Sequence, residues 1–378
     1  MAEPDPMLLL SDAFDGDPAP FGPRGLLVLR ARPTHAFAPE ALVCEQGLKP
    51  LHEALTRQGR ETHAVLPDDL SPPDPAGFPA VAVALTRSRA ENRANIARAW
   101  ALCAPGGRIL VAGAKTDGVE ALQKALRKEG LEVGATPRRH GRVLSFARPE
   151  DPQAPAPDAF AEWLDEAQPA VRFLVEDPKG ERGPRPFATS AGVFSWDRPD
   201  PGSELLAQTL PPLSGTVADL GAGWGYLSAV ALTSPEIQTL HLVEAEHEAL
   251  ENARANLDDP RARFHWADIR ALDPLKAQLP RGSCDAVIAN PPFHDGREVS
   301  LALGEAFLAA AASLLKPNGK LWVVANRTLP YERPLDQLFV ESGEVGGDRV
   351  YKILFAARPR PKPRTAAKPG ARQGRKRG

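Results

Sequence analysis

The tetrapeptide Asn290-Pro291-Pro292-Phe293 directly follows the apolar run Ala286–Ala289. Such a run reads as a buried strand, and the residue types at its end restrict what comes next. Both prolines fix their own φ, and Asn290 is pushed out of the helical region by the proline after it. The Asn290 side-chain oxygen and the Pro291 carbonyl can then face the same point. Two convergent acceptors suit a group with two N–H donors, such as the exocyclic amine of a base or an amide. Phe293 offers a flat face on which a base could stack, worth roughly 1–3 kcal/mol. The plainer reading is a turn after a strand, since Asn-Pro commonly starts one.

Upstream, VADLGAGWGYL (217–227) carries Asp219 on a short apolar strand, then Gly221, Ala222, Gly223 and Gly225 before a helix. Absent side chains let backbone lie against a ligand, and ligands of open α/β sheets bind at the carboxyl ends of strands. The spacing is not the dinucleotide fingerprint G-x-G-x-x-G, although a glycine loop by itself is compatible with a dinucleotide fold. An acid two residues before the first glycine suits S-adenosylmethionine (AdoMet), whose ammonium takes a carboxylate partner. Glu244 ends the next apolar run, 25 residues after Asp219. An acid there can accept both hydroxyls of a ribose, whichever cofactor carries it. Asp268, beyond the third run, is placed to accept from an adenine amino group, with Ile269 against the ring. The competing reading is a loop aspartate capping the turn at Leu272.

These residues need a frame that brings strand ends together. Strands are expected at Thr216–Leu220, Leu240–Val243, Phe264–Trp266, Asp285–Ala289, Lys320–Ala325 and Arg349–Ala356. Helices are expected at Leu227–Thr233, Glu246–Asn256 and Leu301–Leu315, the last ending in a turn at Pro317 and Gly319. This alternation implies a parallel sheet with helices on both faces.

The first half echoes the second. Val81–Leu85, a helix through Ala90–Leu102 and the run at 104–113 parallel Ala286–Ala289, its helix and Lys316–Ala325. The special residues are missing from the first half. Thr86-Arg87-Ser88-Arg89 stands where the second half has Asn290–Phe293, and residues 26–33 (LLVLRARP) replace the glycine loop. The halves read as two copies of one fold, the first non-catalytic, against the alternative that all α/β halves look alike.

Length favours two domains. The expected division is 1–148, a linker at 149–170 rich in proline, alanine and acids with a short helix around Phe160–Glu166, a second domain at 171–357, and a tail at 358–378. The tail holds nine Lys or Arg and no acid, which leaves residues 1–357 at −11 beneath a net charge of −2. It is expected to be disordered and to grip phosphates without regard to sequence, or else to solubilise the chain. No apolar stretch reaches membrane-spanning length, and the acidic N-terminus lacks the basic start of a signal peptide. A cytoplasmic protein with no membrane contact is expected. Cys44, Cys103 and Cys284 are scattered and suit buried thiols. The eight histidines have no metal-ligand spacing, so no metal is expected.

Taken together, GVFSWDRPDPGSELL (192–206), ADLGAGWG (218–225), ANPPFHDG (289–296) and ANRTLPY (325–331) resemble the RsmC/RlmG family of ribosomal RNA guanine-N2 methyltransferases. These are class I AdoMet-dependent enzymes. The resemblance implies two tandem Rossmann-like domains with mainly parallel seven-stranded sheets, the N-terminal one degenerate. It implies AdoMet as cofactor and ribosomal RNA or a ribosomal subunit as partner, most readily the 16S RNA. GAKTDGVE (113–120) and RRHGRV (138–143) resemble parts of the family's N-terminal domain. Phe194, Ser195 and Gly202 would lie near the methionine end of the cofactor. Asn-Pro-Pro-Phe is shared with adenine-N6 and protein-glutamine methyltransferases, and His294, Asp295 and Gly296 narrow the match. Methylation of 23S RNA, and an RNA-binding assembly factor without activity, stay open as alternatives.

Overall fold

The computed structural model describes residues 4–68, 70, 72, 76–175, 183–292 and 297–361. The first half runs α1 (Pro6–Ala13), β1 (Leu26–Leu29), β2 (Leu42–Glu45), α2 (Lys49–Arg57), β3 (Glu61–His63), β4 (Phe78–Ala84), α3 (Arg89–Leu102), β5 (Cys103–Ala114), α4 (Val119–Lys128), β6 (Gly134–Arg138), β7 (Gly141–Ala147) and α5 (Ala159–Ala167). A hairpin follows, β8 (Ala170–Val175) and β9 (Arg185–Thr189). The second half runs α6 (Pro201–Thr209), β10 (Gly215–Leu220), α7 (Tyr226–Ala231), β11 (Ile237–Glu244), α8 (His247–Asn256), β12 (Ala262–Trp266), β13 (Cys284–Ala289), α9 (Arg297–Leu314), β14 (Leu315–Asn326), α10 (Glu332–Leu338), β15 (Phe339–Gly347) and β16 (Tyr351–Pro359).

The two seven-stranded sheets have the same order, β3-β2-β1-β4-β5-β7-β6 and β12-β11-β10-β13-β14-β16-β15. Each is parallel except for the strands paired with β7 and β16, which run antiparallel. Strand order reverses between β1 and β4 and between β10 and β13, which makes these the switch points where ligands bind. In the second half Val217, Leu240, Leu242 and Ile288 pack on one face with α7 and α8. Ala218, Leu220, Val243 and Val287 pack on the other, against α9 residues Phe307, Leu308 and Ala311. Side chains alternate along a strand, so each buried strand feeds both layers.

Ladder register makes the duplication explicit. Phe78 pairs with Cys103 and Ala80 with Arg108, so Ala104–Gly107 stand out of the ladder. Cys284 pairs with Leu315 and Ala286 with Lys320, so Lys316–Gly319 do the same. Leu29 pairs with Val83, and Leu220 with Ala289. The counterpart of Asn290–Phe293 is therefore Ala84-Leu85-Thr86-Arg87, two residues earlier than the sequence alignment of the halves suggests. By the same register Arg30 stands at the position of Gly221, and Gln46 at that of Glu244.

Three boundaries differ from expectation. Helix α5 lies inside the expected linker, yet its Phe160 and Trp163 are buried in the first half's core, with Trp100 against Phe160. Two bulky aromatics on one short helix outweigh the proline-rich flanks. Strand β16 runs to Pro359, and Arg360 N donates to Leu338 O at 2.8 Å, so the folded body extends past 357. The rest of the basic tail, 362–378, lies outside the described residues. Strand β15 adds to the expected set; its residues are mostly exposed and give no apolar signal.

All three cysteines are buried and free. Among the described residues no helix is long and apolar enough to cross a membrane, and no cluster of His, Cys, Asp or Glu could hold a metal ion.

Candidate functional site

The segments leaving β10 and β13 enclose a cavity with the loop before α6. It is lined by Phe194, Ser195, Asp200, Ser203, Gly221, Ala222, Gly223, Trp224, Tyr226, Leu227 and Asn290.

At its floor Asn290 Nδ2 donates to Asp200 Oδ2 and to Ser203 Oγ, each at 2.8 Å. A carboxylate only accepts, so the amide can present only its NH₂ to Asp200. Oδ1 must point the other way, and it is buried with no partner among the described residues. An orphaned buried acceptor costs about 1–3 kcal/mol, a cost that a donor supplied by a ligand would remove. Asp200 is itself fixed as the N-cap of α6, accepting from Ser203 N at 2.9 Å with Pro201 at the first helical position. Neither Asp200 nor Ser203 is among the site residues expected from sequence. The Asp-Pro-Gly-Ser sequence carries a strong N-cap signal, but nothing local says that this cap meets a residue 90 positions away.

The glycine loop answers the dinucleotide alternative. Gly221 N and Ala222 N both donate to Val243 O, Gly223 N to Glu244 Oε2, and Gly225 N to Ala222 O. Those amides are spent within the fold and cannot cradle a pyrophosphate. Among the described residues the lining contains a carboxylate and no Lys or Arg, which suits a cationic ligand. Gly223 has φ +56, and the place of its missing Cβ is open space, so backbone is presented bare. At Gly221 a Cβ would stand 3.0 Å from the Phe307 ring, so that glycine serves packing against α9.

Glu244 is half-buried. Its Oε1 accepts from Ala245 N (2.7 Å) and Glu246 N (2.8 Å), and its Oε2 from Gly223 N (2.8 Å). Burial pushes its pKa up against the pull of those three amides. Three of about four acceptor positions are occupied, which leaves one where two were expected, and Glu244 is not among the residues lining the cavity. Asp219 is fully buried beneath the loop and does not line the cavity. Its Oδ2 accepts from Ser228 Oγ at 2.7 Å and its Oδ1 has no partner among the described residues. Burial raises its pKa to about 7, opposed by the Ser228 bond and aided by nearby Glu244.

Asp268 bonds within its own turn, at Arg270 and not at Leu272. Its Oδ1 accepts from Arg270 N and Nε at 2.9 Å each, and its carboxylate is paired with the Arg270 guanidinium. Ile269 is buried in the α9-side core. Neither lines the cavity. Phe194 and Ser195 do, Phe194 exposed and Ser195 at φ +53. Gly202 lies under Asp200, where a Cβ would meet the Tyr351 ring at 3.2 Å. Pro291 is buried and Pro292 exposed. Phe293, with His294, Asp295 and Gly296, lies outside the described residues.

The β8–β9 hairpin closes the opposite side. Asn256 accepts from Ala188 N and donates to the carbonyls of Ala188 and Trp224. Phe173, Phe187 and Tyr226 surround the Trp224 ring.

A strand order of 3-2-1-4-5-7-6 with a cation-suited glycine loop at the switch point defines a class I methyltransferase fold. The sequence matches the family described as "Methyltransferase small domain" over residues 185–355. It is 37% identical over 193 residues to ribosomal RNA large subunit methyltransferase G of Streptomyces avermitilis, covering 50% of this chain and 49% of that protein, so about half of that relative's length is matched. It is 32% identical over 251 residues to ribosomal RNA small subunit methyltransferase C of Shewanella baltica, covering 66% of this chain and 68% of that protein. The chain belongs to the family of these ribosomal RNA methyltransferases C and G. A 16S rRNA guanine-N2 methyltransferase of T. thermophilus, solved in complex with AdoMet and guanosine, superposes with a TM-score of 0.71 at 23% identity over 88% of each chain. That likeness extends the shared fold to both halves.

Proposed function

We propose that the protein transfers a methyl group from AdoMet to the exocyclic N2 of a guanine in ribosomal RNA, with 16S RNA as the substrate. The observation that carries this reading is the orphaned Asn290 Oδ1, an acceptor aimed by Asp200 and Ser203. An aromatic amine offers the N–H donor that such an acceptor lacks.

The residues present fit AdoMet. Gly223 gives close backbone approach, Glu244 keeps an acceptor position for a ribose hydroxyl, and the described lining residues include no Lys or Arg. Phe194 and Ser195 would lie along the methionine end, with buried Asp219 adding negative charge beneath the loop. Asp268 and Ile269 would flank adenine only if Asp268 gave up part of its hold on Arg270. When bound, AdoMet supplies an electrophilic methyl on a positively charged sulfur.

The chain's own residues do the rest by placement. A guanine inside folded RNA has to be flipped out or already unpaired to reach the cavity. Asn290 Oδ1 and the Pro291 carbonyl accept the two hydrogens of the amine, which turns its lone pair toward the cofactor side. Phe293 supplies the stacking face. Asp200 and Ser203 hold the amide from behind, so it cannot turn its NH₂ toward the substrate. Preorganised polar groups of this kind lower the barrier without a strong base.

The first half is non-catalytic in this reading, with Arg30 and Gln46 in place of Gly221 and Glu244. It contributes support and RNA contacts, including the exposed turn Arg138–His140. The basic tail adds contacts to phosphates. The protein acts in the cytoplasm, where its substrate is. The identity to a large subunit methyltransferase G favours 23S RNA as the second reading. Tritiated-methyl transfer to each ribosomal RNA and each subunit, followed by nucleoside analysis, tests both. Label appearing in N2-methylguanosine of one RNA supports the proposal; label in adenosine or in protein overturns it.

A further inference from the structure

The cofactor-side carboxylate Glu244 is followed at once by Ala245, Glu246 and His247, and this turn is bolted to the first half of the chain. Lys49 N donates to Ala245 O at 2.8 Å, and His247 N to Gly47 O at 3.0 Å, around an antiparallel bridge between Leu48 and Glu246. Trp266 Nε1 donates to the carbonyls of both Gly47 and Ala245, and Lys49 Nζ sits 4.0 Å over the Trp266 ring. Arg30 closes the arrangement. Its Nη1 and Nη2 meet Glu246 Oε1 and Oε2 at 3.0 Å each, and its Nε meets Glu91 at 3.0 Å.

We infer that Arg30, from the half that has lost its own cofactor loop, is a positioning residue for AdoMet binding in the other half. It acts through Glu246, whose backbone N–H, together with that of Ala245, holds Glu244 Oε1. A bidentate Arg–carboxylate pair fixes orientation as well as distance. The guanidinium is mostly shielded, at 20% side-chain exposure against 21% for Glu246, so the pair is screened little by solvent. Burial works against the Arg30 charge, but Glu91 and Glu246 hold its pKa above the ordinary arginine value. The residue that plugs the lost site thus orients the surviving one. This rests on reading Glu244 as the ribose acceptor.

Two kinds of variant separate the brace from general stability. Arg30→Met removes the fork. Gly47→Ala keeps every charge but places a Cβ 2.3 Å from Glu246 Oε1, which displaces that carboxylate tip. AdoMet affinity is measured by calorimetry on the full chain, alongside methyl-transfer kinetics and the melting temperature. Expected is a Kd for AdoMet raised roughly five- to tenfold in each variant, kcat at saturating AdoMet within about twofold, and partial recovery in Arg30→Lys. Loss of fold alone would lower the active fraction without this split between affinity and turnover. Unchanged AdoMet affinity in Gly47→Ala, whose Cβ crowds Glu246 Oε1 and Arg30 Nη1, overturns the brace even if Arg30→Met does not fold. Failure of the unaltered protein to bind AdoMet brings down the proposed function, and the brace with it.

Discussion

Asn290 Nδ2 lies 2.8 Å from Asp200 Oδ2, and this one contact decides which way the amide faces. Asn290 ends a central strand, while Asp200 caps a helix that belongs to neither the glycine loop nor the sheet. The contact converts a symmetric-looking amide into a one-sided acceptor.

Removing that acceptor separates chemistry from cofactor binding. Asn290→Ala is expected to lower methyl transfer by about 10²–10³-fold while AdoMet affinity stays within about twofold. Radiolabelled transfer and calorimetry read the two quantities; retained turnover would contradict the role assigned to Oδ1.

Asp200 is expected to show two separable effects. Asp200→Ala loses an N-cap worth about 1 kcal/mol and frees the amide to turn, so both melting temperature and kcat fall. Asp200→Asn keeps an oxygen for Ser203 N and Asn290 Nδ2, so it retains most of the stability and a large part of kcat. Equal kcat in the alanine variant and the parent would refute the orienting role.

Much of this site is legible in the sequence alone. The apolar runs are long enough to name the central strands, and the glycine loop, Glu244 and the Asn-Pro corner sit at their ends because strands of a parallel sheet present all their carboxyl termini on one side. What stays hidden is which partner, near or far along the chain, already holds each side chain. Asp200 reads locally as a helix cap, and Asp268 offers no local sign that Arg270 already holds it. Glu244 reads as a free acid because backbone donors leave no trace in a sequence. The hairpin β8–β9 and strand β15 lack strong alternation, since they are held by neighbours, Asn256 and Trp224 for the hairpin and strand β16 for β15.

Acid lability is expected from a buried histidine pair. His241 Nδ1 lies 2.9 Å from His265 Nε2. Burial first, then the neighbouring His265 and Arg263, push His241 down to about 4, and burial lowers His265 as well. Unfolded imidazoles titrate near 6.5, so between about 6.5 and 4 the unfolded chain binds protons that the folded one refuses. This contribution is full above pH 6.5 and is lost as pH falls. Urea midpoints followed from pH 8 to 4 are expected to drop over that window, and His241→Leu is expected to flatten the drop.

Asp219 has the opposite sign. Its folded pKa, about 7, lies above the ordinary aspartate value of 3.8, so the stability it contributes falls as pH rises from 3.8 through 7. Asp219→Asn is expected to raise the melting temperature at pH 8 more than at pH 5, while weakening AdoMet binding. The same gain at both pH values would show that the buried charge is not what destabilises the unliganded fold.

Truncation after Pro361 removes seven basic residues from the tail. RNA affinity is expected to fall, and the slope of log K against log salt to become shallower by about 0.7 for each phosphate of single-stranded RNA that the shortened chain no longer neutralises. Filter binding at several salt concentrations measures it; an unchanged slope would assign the tail some task other than gripping phosphates.

The Leu48–Glu246 bridge is symmetric. By strand register Gly47, Leu48 and Lys49 occupy the places of Ala245, Glu246 and His247, so each position meets its own counterpart and the two flanking hydrogen bonds are exchanged reciprocally. That is the isologous contact of a two-fold dimer. Two separate copies of this fold, related by a two-fold axis, would make the same contact.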